Sequence, residues 1–203
     1  MGRPGLNRAA VIAAAADLAD ELGFDAVTIS VLARHLGVRS PTLYSHVTGA
    51  TDLRTAVTAY VLDELADATS AALSAGESRD LLVAYADAIR DFARRSPGRY
   101  DATTRQRIPP PLEAESAPPS TDDAITAGRR NAAIALAVVR SYGVVETSET
   151  YAVRLMSSLI HGYITLELAG TFAHSEPPSE ATWPEVIEDL DRTLARLAGS
   201  PRT

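Results

Sequence analysis

Between Arg39 and His46 the chain reads Arg-Ser-Pro-Thr-Leu-Tyr-Ser-His, placing four hydroxyls, a guanidinium and an imidazole within eight residues. On a helix Leu43 and Val47 fall four apart and point one way. Thr42, Ser45 and His46 then share the opposite face, flanked by Pro41 and Tyr44. Side chains of this kind suit the major groove of DNA, where hydroxyls bond to bases or phosphates and a proline ring can touch a thymine methyl. Other chemistries find little support. The chain has no Cys, which excludes disulfides, thiolate zinc sites and cysteine nucleophiles. It has no Lys, which excludes a Schiff-base lysine and a Walker-type phosphate loop. The four histidines (His35, His46, His161, His174) are scattered without metal-ligand spacing, and no Gly-x-Ser-x-Gly elbow occurs. No catalytic site, metal or cofactor is therefore expected. His161 lies on an apolar helix, where a histidine is more often a satisfied core residue than a ligand. Glu167, six residues on, does not share its face.

The elements that position residues 39–46 are a helix, a glycine turn and a second helix over residues 28–47. Gly37 supplies the left-handed conformation at the turn, and Ala33 leaves room for the second helix to cross the first. Thr28 is a good N-cap, followed by the stripe Ile29, Leu32, Ala33 and Leu36. Ser40 is expected to cap the next helix, with Pro41 at its first position. An earlier helix carries Val11, Ala15, Leu18 and Leu22 and stops at Gly23, with Phe24 folding back as in a Schellman cap. Beyond this three-helix module, periodicity predicts helices over about 52–73, 78–96, 97–107, 121–142, 147–173 and 184–198. A long loop is expected from Ile108 to Thr121, and Gly49-Ala50 is read as a border. The fold class is thus all-α with about nine helices: an N-terminal three-helix helix-turn-helix domain (1–50) and a C-terminal helical bundle (51–203).

Composition agrees. The 203 residues are 46% hydrophobic but only 5% aromatic and are rich in alanine, a helix-forming mixture. The net charge is −7, which argues against a histone-like coat of DNA but permits one local reading face. Residues 1–54 hold five arginines and five acidic residues, whereas the remainder hold fourteen and twenty-one. Arg3, Arg8, Arg39 and Arg54 are thereby candidates to meet phosphates. The start of the chain has a signal-peptide order of charge then apolar run, but Asp17, Asp20 and Glu21 continue the helical pattern without a cleavage region. The run Ala132–Val139 is too short to span a bilayer. A cytoplasmic protein is expected.

The stretch Gly23-Phe24 through Val47, followed by the helix start Asp52-Leu53, resembles the DNA-binding domain of the TetR family of bacterial transcriptional regulators. The Leu43-Tyr44-x-His46 signature after Gly37-Val38 is its most specific part. The resemblance implies an all-helical homodimer that binds a palindromic operator as a repressor and releases it on binding a small molecule. It places Ser40, Pro41 and Thr42 against base edges, Tyr44 and His46 on phosphates, and Thr28 at a phosphate-contacting helix start. Arg39 and Ser45 lie on the same face. Two departures stand out: Val47 where the family often has Phe, and Gly49-Ala50 where it usually has Lys. Arg54 is the candidate substitute for that lysine. Further on, Ser158 to Phe172, with its His161-Gly162 pair, and Arg94 to Tyr100 resemble the C-terminal domain of one TetR subgroup.

Leu155, Leu159, Gly162, Tyr163 and Leu166 form one apolar stripe, widened by Met156, Ile160 and Ile164, and a helix apolar over so much of its circumference is buried on more than one side. With Leu190 and Leu194 of the last helix it is expected to form a four-helix dimer seam. Tyr60, Tyr85, Ile89, Phe92, Tyr100 and Tyr142, with Arg105 and Asn131 among the few polar groups, describe either a pocket for a mid-sized, largely apolar effector or the filled core of the bundle. His161 is the remaining candidate ligand contact. The reading from another class is an all-helical small-molecule carrier or enzyme without DNA binding. The exposed reading face at 39–46 distinguishes the two, because a carrier has no use for it.

Overall fold

A computed structural model describes residues 6–75, 81–105 and 117–198. Among them are nine α-helices and no strand: α1 (Arg8–Leu22), α2 (Ile29–Leu36), α3 (Ser40–Leu43), α4 (Ala50–Ala75), α5 (Leu81–Arg95), α6 (Pro97–Arg105), α7 (Thr121–Ser141), α8 (Glu146–Leu168) and α9 (Ser179–Ala198). They divide into two compact units. The first comprises residues up to Leu65 together with Arg95–Arg130; the second comprises Ala66–Arg94 together with the residues from Asn131 onward.

In the first unit, the Asn7 side chain caps α1 by accepting from the Ala10 N–H at 2.9 Å. Val11, Ile12, Ala15, Leu18 and Ala19 are buried, but Leu22, expected on the same face, is 57% exposed. The α1 terminus differs from expectation too. Gly23 has φ +86° and ψ 148°, and the chain leaves in a short 3-10 turn over Phe24–Ala26 rather than a Schellman cap. The Schellman cap is found one helix later. There Gly37 is left-handed at φ +66°, its N–H donates to Arg34 O at 3.1 Å, and the Val38 N–H donates to Ala33 O at 2.9 Å.

Helix α3 starts one residue earlier than expected, with Arg39 as N-cap and no side-chain cap. Ser40 therefore opens the helix instead of capping it. Helix α6 begins at Pro97, and its Gly98 lies directly against the Ala19 backbone of α1. Only a glycine permits so close an approach.

The second unit is built on amphipathic helices. Helix α5 buries Leu82, Tyr85, Ala86, Ile89, Phe92 and Ala93, the 3–4 spacing of an inward stripe. Its expected first residues, 78–80, lie outside the described residues, as does most of the expected loop from Ile108. Helix α8 buries Ala152, Met156, Ile160 and Ile164. It stops before the expected residue 173, because Gly170, at φ +72°, ends it in a second Schellman arrangement, with Thr171 N–H donating to Leu166 O at 3.0 Å. Helix α9 begins five residues before the expected start and carries Pro184 within it. No described helix is long and apolar enough to cross a membrane.

Candidate nucleic-acid interface

Burial sorts residues 39–47 into two sides. Leu43 and Val47 are 0% and 2% exposed, and with Leu32 and Ala33 they hold α3 against α2. Pro41, Thr42, Tyr44 and Ser45 are exposed, as is Arg39, while Ser40 and His46 are half-buried. Tyr44 is 56% exposed. Ser45 donates its hydroxyl back to Thr42 O at 2.7 Å, so it faces outward as an acceptor only. Thr28 accepts from the Val31 N–H at 3.3 Å, which leaves its own O–H free to donate outward.

The arginines are deployed differently from expectation. Arg54 donates to Phe24 O and Asp25 Oδ1, each at 3.1 Å, and stacks 4.1 Å over the Phe24 ring. It is thus occupied within the unit, and the expected substitution for the missing lysine finds no support in its geometry. Arg8 is also turned inward. It donates to the His46 carbonyl at the end of the reading face and to Ser120 Oγ at 2.5 Å, and it lies 3.5 Å from Asp52. Arg39 has no ion pair among the described residues, and Arg3 lies outside them. The exposed side of α3 therefore carries hydroxyls, a phenol and an imidazole more than charge.

Asp52, which the sequence marks only as a helix start, is a hub of hydrogen bonds behind α3. It is 2% exposed. It accepts from the Thr48 N–H at 2.9 Å, from the Ser120 N–H at 3.1 Å and from the Ser120 hydroxyl at 2.5 Å. Burial pushes its carboxyl pKa up, but these bonds and the Arg8 charge outweigh it and hold the group below the usual carboxylate range. An acidic residue at the first turn of a long helix reads from sequence as a capping residue. That it anchors Ser120, 68 residues away, does not.

The residues expected to line a pocket divide between the units. Tyr60, Tyr100 and Arg105 belong to the first. Tyr100 is buried as core, and Arg105 is exposed and paired with Asp25 and Asp101 at 3.4 and 3.3 Å. Tyr85, Ile89, Phe92, Tyr142 and His161 belong to the second. Tyr85, Ile89 and Phe92 are 6%, 1% and 7% exposed, and burial pushes the Tyr85 phenol up to about 12. Tyr142 donates to Asp191 at 2.5 Å, and its phenol is raised by burial and by that carboxylate. His161 is half-buried, and its pKa is lowered by desolvation.

The expected seam is likewise revised. Leu190 and Leu194 are 1% and 0% exposed within the single chain, so their own protomer already fills their surroundings. Tyr163 donates to Ser179 O at 2.8 Å and stacks on Phe172 and Trp183, also within the protomer. Leu155 and Leu159 are half-buried, and Gly162 and Leu166 are exposed, as is Tyr151 one turn earlier. A partly exposed apolar stripe thus remains on α8. The second unit also holds an ion pair that sequence spacing did not reveal: Arg90 grips Glu167 with two bonds of 2.9 and 2.5 Å, both side chains nearly buried.

Residues 11–56 match the family described as bacterial regulatory proteins, tetR family, and residues 82–190 match the one described as tetracyclin repressor-like, C-terminal domain. The uncharacterized HTH-type transcriptional regulator Rv0681 of Mycobacterium tuberculosis is 36% identical over 167 residues, covering 81% of this chain and 72% of that one. Among solved structures, a TetR variant from Acinetobacter baumannii AYE in complex with minocycline aligns with a TM-score of 0.69 at 20% identity, over 98% of this chain and 97% of that chain. BioQ with its double-stranded DNA operator aligns with a TM-score of 0.62 at 20% identity, over 94% and 98% of the two chains. At such identities the structural likeness speaks for the fold, while the two family matches and the mycobacterial relative speak for descent. With its exposed helix-turn-helix face, the chain belongs to the TetR family and is a DNA-binding transcriptional regulator.

Proposed function

We propose that this regulator is a repressor that binds a palindromic operator as a homodimer in the cytoplasm and releases it when a small, largely apolar molecule binds. The observation that carries the reading is the division of α3, with Leu43 and Val47 buried while Pro41, Thr42 and Tyr44 stand exposed. On this reading Ser40, Pro41 and Thr42 meet base edges, and Thr28, Arg39, Tyr44, Ser45 and His46 meet phosphates or neighbouring bases. Residues 1–50 supply the DNA contacts, and 51–203 supply dimer and effector contacts. The open α8 stripe of Tyr151, Leu155, Leu159, Gly162 and Leu166 supports pairing with a second copy. Tyr85, Ile89 and Phe92, with His161, are the apolar surroundings offered to the effector. Release requires that the effector bind the DNA-incompetent conformation more tightly.

Gel retardation on DNA upstream of the chain's own gene, at several salt concentrations, tests this. Tyr44→Ala should weaken binding to all sequences alike. Thr42→Ala should shift preference at one base step, by about 1–3 kcal/mol for a well-formed contact. Operator affinity unchanged by both substitutions would refute the reading face.

A further inference from the structure

Within the second unit α5 and α9 border a cleft of about 360 Å³. That is within the size range of small-molecule sites. Leu82, Trp183, Pro184 and Ile187 give it apolar walls, and three carboxylates stand among them: Asp87, Glu188 and Asp191. No lining residue is basic. Asp87 accepts from the Trp183 indole N–H at 2.6 Å, and Asp191 accepts from the Tyr142 hydroxyl at 2.5 Å. Both donors are neutral. They fix the two carboxylates in place without cancelling their charge, and neither carboxylate has an ion pair among the described residues. Glu188 alone is paired, with Arg192 one turn along α9.

This combination selects its occupant by charge and by polarity. An anion is repelled. A neutral apolar molecule gains the walls but must strip water from two fixed carboxylates without repaying them. A bare metal ion is poorly served, because no group of three potential metal-holding side chains comes together among the described residues. We propose that the α5–α9 cleft binds an organic cation with an apolar body, such as an alkyl quaternary ammonium, its charge offset by the two carboxylates without an ion pair, Asp87 and Asp191, and its chain against Leu82, Pro184 and Ile187. This site belongs to the second unit and the α3 face to the first, and it stands or falls independently of the repressor reading.

Trp183 is the sole tryptophan of the chain, so tryptophan fluorescence reports on this cleft alone. The full-length protein, without DNA, is titrated with hexyltrimethylammonium and, in parallel, with its neutral analogue in which a tert-butyl group replaces the trimethylammonium. A saturable emission change is expected for the cation, with the neutral analogue at least about tenfold weaker. Asp87→Asn combined with Asp191→Asn keeps both acceptor oxygens for Trp183 and Tyr142 but removes the charge. It should weaken the cation about tenfold and leave the neutral analogue unchanged. Equal binding of the two compounds by the unaltered protein, or no saturable change with the cation, overturns the proposal whether or not the double variant folds. Undiminished cation binding by a folded double variant overturns it as well.

Discussion

Replacing Gly98 by alanine tests the close approach of α6 to α1. A Cβ at this position would lie 1.8 Å from the Ala19 carbonyl oxygen, 2.3 Å from its carbon and 2.7 Å from the Asp20 nitrogen. All three are backbone atoms, so no side-chain rotation relieves the clash. Retreat to 3.0 Å, below which Cβ contacts are essentially unknown, requires α6 and α1 to separate by about 1.2 Å. The next residue makes that costly. Arg99 donates its backbone N–H to Asp20 Oδ1 at 2.9 Å, and its guanidinium reaches Asp20 and Asp17, each at 2.6 Å. A shift of that size takes these contacts out of hydrogen-bonding range. Overpacking of this kind costs about 1–3 kcal/mol. The Asp17 arm is largely exposed and adds little, whereas the Asp20 contacts are partly buried and bring the total to about 3 kcal/mol. At about 2–4 °C per kcal/mol for a chain of this length, Tm should fall by about 6–12 °C. Circular dichroism melting measures it. Gly128→Ala, inside α7 with nothing near its added Cβ, is the control and should raise Tm slightly. A Gly98→Ala melting point within about 2 °C of the parent would refute the close approach.

Leu159→Arg on the open α8 stripe should yield folded monomers in sedimentation, whereas Leu194→Arg, at a fully buried position, should unfold the protein at any concentration. Because the Asp52 carboxyl is held below its ordinary value, its contribution is present above the unfolded value of about 3.9 and lost as pH falls through the lower folded one. Asp52→Asn should therefore lower stability at neutral pH and flatten the acid limb of the Tm–pH profile, and an unchanged acid limb would count against the hub. Glu167→Gln leaves the Arg90 charge nearly buried without a counter-charge, and denaturant unfolding should show a loss of about 3–5 kcal/mol; restoring a well-packed pair by Arg90→Met with Glu167→Leu should recover much of it.

What could be read from the sequence was what short-range rules decide. Gly37, Leu43 and Val47 specify the turn and the buried side of α3 through contacts a few residues apart, and the structure agrees. The errors arise where distant partners compete. Gly23-Phe24 and Gly37-Val38 look alike as helix stops, yet only the second forms a Schellman cap; at the first, the Phe24 ring is taken into the core beneath Arg54. Arg8 and Arg54 seemed free for phosphates because their partners, Ser120 and Phe24-Asp25, lie 112 and about 30 residues away. The Arg90–Glu167 pair spans 77 residues and leaves no periodic signal. Leu190 and Leu194 were correctly seen as apolar, but periodicity cannot tell burial within a protomer from burial between two. The last helix, expected from residue 184, begins at Ser179 and holds Pro184 about a turn and a half in.

The first unit is discontinuous, and this bears on how the protein is made. Its DNA-reading helices are complete once Leu65 has been synthesised, but α6 and Ser120 belong to the stretch Arg95–Arg130. At about 5–20 residues per second, the roughly 65 residues from Leu65 to the end of the unit at Arg130 take about 3–13 seconds to be added. During that interval the Ala19 surface of α1 has no α6 against it, Asp17 and Asp20 lack Arg99, and Asp52 lacks Ser120. The regulator thus closes its DNA-reading unit later than a continuous N-terminal domain would, only after about two-thirds of its chain has been translated. Until then the Ala19 backbone and the carboxylates of Asp17, Asp20 and Asp52 lack the partners they have in the finished unit.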